Sequence, residues 1–292
     1  MTDFKLNVIK ILLIFTLIIF IINSKLIINS VYNSTYLFFN NVFVYLFPFL
    51  ILSKFILYFN ILDLFKIKSQ SIIVILLSMI TGAPSNAVYI KNLYDNNLID
   101  DDELENLLIA TTNPSIFFIT SFIGIILLDN KIYSYIIFSS IYISNFIIYL
   151  IINNKSKYNN IIINSNKKNI FIEFKYFIKD SIETLFLILG NLVIFNIIID
   201  IINLFIKNNV ILTLLSILLE ITTSITKISL LNINIYLKLP LITFACLFTS
   251  ISIFMQIKSI LNNFNYKRYI KYKIITSLIG FIICYLTVII FF

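Results

Sequence analysis

An all-α integral membrane protein is the fold class this sequence predicts. Three observations predict it: 60% of the 292 residues are hydrophobic, only 12% are charged, and the apolar residues collect in runs long enough to cross a bilayer. Soluble domains carry about 25% charged residues, and a spanning helix needs roughly 20 apolar residues. The mean hydropathy of +0.99 agrees, and no polar stretch is long enough to form a soluble domain. The composition is dominated by Ile, Asn, Lys, Phe, Tyr and Leu, as in a chain drifting in an AT-rich genome. Lone Asn, Lys and Tyr residues are therefore weak signals, and the four Gly and four Pro carry more information.

Taken in order, the first apolar run covers residues 7–28, after Lys5 and Lys10. No small-residue cleavage site follows it, so it reads as an uncleaved anchor. The second run, 37–59, contains Pro48, which predicts a kink. The third, 71–90, is broken by Gly82-Ala83-Pro84-Ser85. A polar stretch, 91–106, reads as a short surface helical hairpin with Asp100 to Asp102 capping its second helix. The fourth run, 107–128, is broken early by Asn113-Pro114-Ser115, and the fifth is 132–152. After a basic linker come the sixth (181–206), the seventh (210–231, interrupted by Glu220 and Thr222-Thr223-Ser224), the eighth (239–257, with Pro240 at its start) and the ninth (274–292).

Lysine-rich segments mark the cytoplasmic side. The linkers 153–180 and 258–273 are both basic, yet three apolar runs lie between them. One of the three must turn back, and the seventh, with Glu220 at its centre, is the candidate. Polar backbone at membrane depth is tolerated only where protein or a cavity surrounds it. The same reading of the third run puts the N-terminus, Lys66 and Lys68, residues 91–106 and both linkers inside, leaving Lys25, Lys131, Lys207, Lys227 and Lys238 outside. Lys54 snorkels near a helix end. About seven transmembrane helices plus two re-entrant or broken segments result. Ile75-Leu76-Leu77 and Ile217-Leu218-Leu219 echo each other at the offset that pairs Pro48 with Gly190, which suggests an inverted repeat. The expected organisation is an anchor helix (1–30), a first membrane repeat (31–152), a basic cytoplasmic linker (153–180) and a second membrane repeat (181–292).

The chemistry that composition excludes is broad. There is no His, and Cys246 and Cys284 lie in separate apolar runs without metal-ligand spacing. Zinc sites, disulfide frameworks and His-based catalysis lack their parts, so neither a cofactor nor an enzymatic activity is expected. The acidic stretch matches no EF-hand. The net charge of +8 is accounted for by loop cations that orient the chain and attract lipid headgroups, without a nucleic-acid partner. Expected partners are membrane lipids and an unknown small solute, with room for a homo-oligomer.

The candidate binding residues sit at the interruptions. Gly82, Pro84, Ser85 and Asn86 form the first cluster, and Thr112, Asn113, Pro114 and Ser115 the second. Unwound backbone there exposes N–H and C=O groups, and adjoining helix N-termini add partial positive charge. Glu220 is the sharpest single residue, because an ionisable group at a helix centre costs about 2.5–3.5 kcal/mol on insertion scales and usually faces a cavity or a partner. Lys227 is its nearest candidate partner in sequence. Thr222 follows it, and Gln256, like Asn145, reads as a polar group near a helix end.

These residues carry a family resemblance. The blocks Leu46-Phe47-Pro48-Phe49, Thr81-Gly82-Ala83-Pro84-Ser85-Asn86, Leu93-Tyr94-Asp95, Thr112-Asn113-Pro114-Ser115, Tyr142-Ile143-Ser144-Asn145 and Leu219-Glu220-Ile221-Thr222, followed by Gln256, are similar in order to those of YlbJ-type sporulation integral membrane proteins. Those belong to the nucleoside-recognition (Gate) domain superfamily. The match extends over roughly residues 37–262. It implies a transporter-like inverted repeat, a cell-membrane location and a role in the envelope or in sporulation. The chain departs from that pattern where the family carries glycine: it has Ser85-Asn86, Thr223-Ser224 and Thr249-Ser250 instead. Two functions follow as expectations: a small-solute transporter or permease, or a non-transporting structural or assembly protein of the envelope.

Overall fold

The computed structural model describes residues 2–59, 70–153, 170–261 and 264–292. Among them there is no strand. The chain runs through α1 (Thr2–Ile22), α2 (Ser24–Leu37), a π-helical turn (Phe38–Phe43), α3 (Val44–Tyr58), α4 (Gln70–Thr81), α5 (Ser85–Asp95), α6 (Asp101–Thr111), a π-helical segment (Phe118–Leu127), α7 (Lys131–Ile152), α8 (Ile170–Phe205), α9 (Asn209–Leu219), α10 (Ile221–Leu230), α11 (Ile235–Phe248), α12 (Ile251–Ile260) and α13 (Tyr266–Phe291).

Four of the described helical spans are long and apolar enough to cross a membrane: Lys131–Ile152, Ile170–Phe205, Ile235–Ile260 and Tyr266–Phe291. A fifth arises if Leu13–Ile22 and Ser24–Phe43, which meet at 90°, form one bent span. The chain is thus compatible with a multi-pass membrane protein. The first apolar run is not one helix, because the bend divides it at Asn23. Asn23 turns its side-chain amide onto the Ile19 carbonyl, at 3.0 Å. Pro48 lies inside α3 and withholds the N–H that Val44 would receive, and the backbone just before it widens into the π turn. The basic stretch expected to be a linker up to residue 180 is helical from Ile170, as the first turns of α8. Its remaining cations, and Lys66 and Lys68, lie outside the described residues.

The third run folds as α4 and α5, and their polarity follows from three contacts. At the start of α4, Ser71 donates to Glu103 at the start of α6. At the far end, Ala83 N donates to Asn113 O at 2.9 Å. So α4 descends alongside α6, the chain reverses at residues 82–84, and α5 climbs back to the turn before Asp100, which caps α6 by accepting from Glu103 N at 2.8 Å. The expected surface hairpin over 91–106 is therefore the junction between two half-buried helices, with Leu93, Leu104 and Leu107 in the core.

The start of α13 meets the same end of the bundle. Arg268 donates to Glu105 at 2.7 Å and to the Asn106 side chain at 2.7 Å, and the Asn265 N–H donates to Glu105 at 2.9 Å. At the opposite end the C-terminal Phe292 ring meets Tyr133 of α7, with centroids 5.5 Å apart. Arg268→Ala is expected to destabilise the fold by roughly 1.5–3 kcal/mol, the range for hydrogen bonds to charged groups. Arg268→Lys should restore only part, because the guanidinium serves two acceptors as a fork. Thermal unfolding in detergent reads both.

Two apolar clusters form. The larger joins α4 to α6, the long π segment, α7 and α9 to α13. The smaller joins Phe38, Val42 and Leu50 to Leu185 and Leu192 of α8. Small residues let α7, α11 and α13 approach closely: a Cβ on Gly280 would stand 2.1 Å from Leu247 Cδ1.

Candidate functional site

Four interruptions of helix meet between the two clusters. At the first, Gly82 has φ +69°, a left-handed conformation that glycine adopts without penalty. A Cβ there would lie 2.5 Å from Ser115 N, so this break rests directly on the second. At the second, Pro114 lacks the N–H that would continue α6. Asn113 instead donates to Tyr142 Oη at 3.2 Å and accepts from Asn145 Nδ2 at 2.8 Å. Ser115 Oγ accepts from Phe118 N at 3.2 Å, which starts the helix anew. Asn86 ties the two breaks together, donating 3.1 Å bonds to Thr111 and Thr112.

The third break is Glu220, extended at φ −149°, ψ 126° and 4% exposed. Its carboxylate accepts from Thr222 N at 3.0 Å and Thr223 N at 2.6 Å, so it caps the N-terminus of α10. This replaces the pairing with Lys227 suggested by sequence: both oxygens are engaged by backbone N–H groups of its own helix. Thr223 Oγ1 donates to Asn196 Oδ1 at 2.5 Å, and Asn196 donates to Ser34 at 2.8 Å, which joins α10, α8 and α2.

The fourth break was not expected. Thr249 has φ +51° although it is β-branched, and Ser250 separates α11 from α12. Left-handed backbone at a β-branched residue is a true outlier. Thr249 Oγ1 and Tyr269 Oη, 3.1 Å apart, hold it.

The breaks enclose a cavity of about 60 Å³. A single water needs roughly 10–15 Å³ by the same measure, so several waters or a small solute fit. One wall is Val42, Leu46, Leu50, Thr184 and Ile188, from the smaller cluster's helices. The other is Pro84 and Ser85, Pro114 and Ser115, and Glu220 and Thr222 at the first three breaks, with Ser252 and Gln256 of α12 just after the fourth. The N-termini of α5, α10, α12 and the long π segment all adjoin this space, with Glu220 set among their partial positive charges. Gln256 Oε1 is buried and has no hydrogen-bond partner.

Of the eleven residues singled out by sequence, seven line the cavity: Pro84, Ser85, Pro114, Ser115, Glu220, Thr222 and Gln256. The other four stand behind it. Gly82 permits the close approach of the breaks, while Asn86, Thr112 and Asn113 bond within and between them. Sequence reasoning missed Thr184, Ile188 and Ser252 on the cavity wall. Ser252 sits four residues before Gln256, a helical spacing that places both on one face. It also missed Lys273, counted as a linker cation but 1% exposed, with its Nζ 2.6 Å from Thr112 O.

Comparison with family profiles, with curated proteins and with solved structures finds no match.

Proposed function

We propose that this chain is a small-solute permease of the cell membrane, of the YlbJ/Gate-domain type, and that its substrate sits where the four breaks meet. The single observation carrying this reading is their convergence on one cavity between two packed groups of helices. Irregular backbone at membrane depth is tolerated where it lines a cavity, and half-helices ending at a central site are a recurrent transporter plan.

In this reading α4–α5 and α9–α10 are re-entrant hairpins that enter from opposite faces. Seven segments cross: the α1 region, α2–α3, α6 with its π segment, α7, α8, α11–α12 and α13. Each half then runs crossing, hairpin, broken crossing, crossing, as an inverted repeat with the N-terminus cytoplasmic. Alternating access is the rocking of the breaks against the wall formed by the first π turn, α3 and α8. The cavity supports a ligand with hydrogen-bond donors, because Glu220 and the open Gln256 oxygen are acceptors.

Proteoliposomes incubated with a small-metabolite extract, then washed and assayed by mass spectrometry, test the proposal. The wild type should accumulate at least one small polar solute. Gln256→Ala should lower that accumulation about tenfold, the effect of one lost buried hydrogen bond of about 1.4 kcal/mol. Accumulation no greater than in empty liposomes would leave the non-transporting envelope protein as the function.

A further inference from the structure

A buried cation lies on the side of the second break away from the cavity. Helix α6 ends at Thr111, and a helix end leaves its last carbonyls without intrahelical donors. Pro114 worsens the deficit, since it has no N–H to offer. Thr112 O and Ile109 O instead face Lys273 of α13, whose Nζ lies 2.6 and 3.4 Å from them. The side chain is 1% exposed. Among the described residues no carboxylate pairs with it: the ion pairs join Lys54 to Asp180, Lys179 to Glu183 and Arg268 to Asp102 and Glu105. An unpaired ammonium is expensive to bury. The negative end of the α6 dipole is the compensation present.

The groups around it are consistent with that role. Within α6, Glu103 and Glu105 lie toward the other end of the helix and are engaged by Ser71 and Arg268. Tyr269, one turn earlier on α13, is bonded to Thr249 at the fourth break. The same face of α13 therefore serves two breaks, one through a hydroxyl and one through a charge. Carbonyls at an unwound helix end are also the groups that coordinate small monovalent cations in broken transporter helices.

We infer that the end of α6 is a monovalent-cation site that the chain occupies itself, with Lys273 as a tethered ammonium in place of a mobile ion. The second break is held in shape by an internal charge, and the folded chain needs no sodium to hold it. Emptying the position should create a site for Na⁺ or a small primary ammonium. How the second break is held is independent of whether the cavity carries a solute.

Thermal unfolding of the full chain in detergent tests it, with choline chloride as the inert salt at constant ionic strength. The wild type should melt at the same temperature when NaCl or ethylammonium chloride replaces choline. Lys273→Ala should melt about 5 °C lower or more in choline, and regain much of the loss in NaCl or ethylammonium. Lys273→Met keeps the volume without the charge; it should melt lower in every salt or fail to fold. If Lys273→Ala can be isolated only in NaCl or ethylammonium, the inference stands. If it melts low and no cation restores it, or can be isolated in no salt, or if Lys273→Met melts with the wild type, the tethered-cation role is overturned. A wild type stabilised by sodium overturns it as well.

Discussion

Gly82→Ala is expected to destabilise the folded chain by roughly 2–5 kcal/mol, combining left-handed backbone strain of about 1–2 kcal/mol with overpacking of about 1–3 kcal/mol. The new methyl would meet Ser115 N at 2.5 Å and Ser115 Cβ at 3.1 Å. The atom in the way is backbone, so no side chain can rotate aside. The two breaks would have to separate, stretching the Ala83–Asn113 backbone bond and the Asn86 bridge. Gly190→Ala is the control. Gly190 lies inside α8 with nothing within 4 Å of the added carbon, and alanine is the better helix former by about 1 kcal/mol. A thermal or denaturant melt should therefore move the two variants in opposite directions.

The second large effect is at Glu220. Glu220→Ala leaves the N–H groups of Thr222 and Thr223 without acceptors in a buried place, a loss of about 1–3 kcal/mol for each group. It should also abolish accumulation of any solute that donates to the carboxylate. Glu220→Gln keeps one acceptor oxygen and should fall between wild type and alanine in stability. A glutamine variant no more stable than the alanine variant would mean that the capping oxygen is not what holds the start of α10. Solute accumulation unchanged in both variants would remove Glu220 from the proposed site.

The contrast between what was legible and what was not has a physical basis. Gly82, Pro84 and Pro114 announce their breaks because glycine frees φ and proline removes a donor, both local properties of the residue. Glu220 announces its break because burying a charge demands an explanation. Thr249 and Ser250 announce nothing. Neither is a helix breaker of that kind, and the left-handed turn there comes with a bond to Tyr269, far along the chain. Lys273 was hidden for a similar reason: it adjoins other cations in sequence, and only the packing of α13 on α6 carries it inside. The repeated Ile-Leu-Leu tripeptides misled in register. Ile217 to Leu219 run directly into the break at Glu220, whereas Ile75 to Leu77 stop a turn short of Gly82, so they are not equivalent positions. Asn113 has the sequence context of a ligand-facing group, but its amide is engaged by Tyr142 and Asn145 behind the cavity. An isolated polar cluster gives no indication of which way its side chains turn.

The proposed permease requires two interrupted segments that enter the bundle from opposite faces and turn back at a shared cavity. Sidedness of single cysteines tests it most directly, with Cys246 and Cys284 replaced by alanine. Asn97, Lys131, Lys207 and Lys267 are all exposed in turns or at helix starts. Each is changed to cysteine and exposed in sealed vesicles to a thiol reagent that cannot cross the membrane. Positions 97 and 267 should label from one face and positions 131 and 207 from the other. Labelling of 97 from the same face as 207 would contradict it.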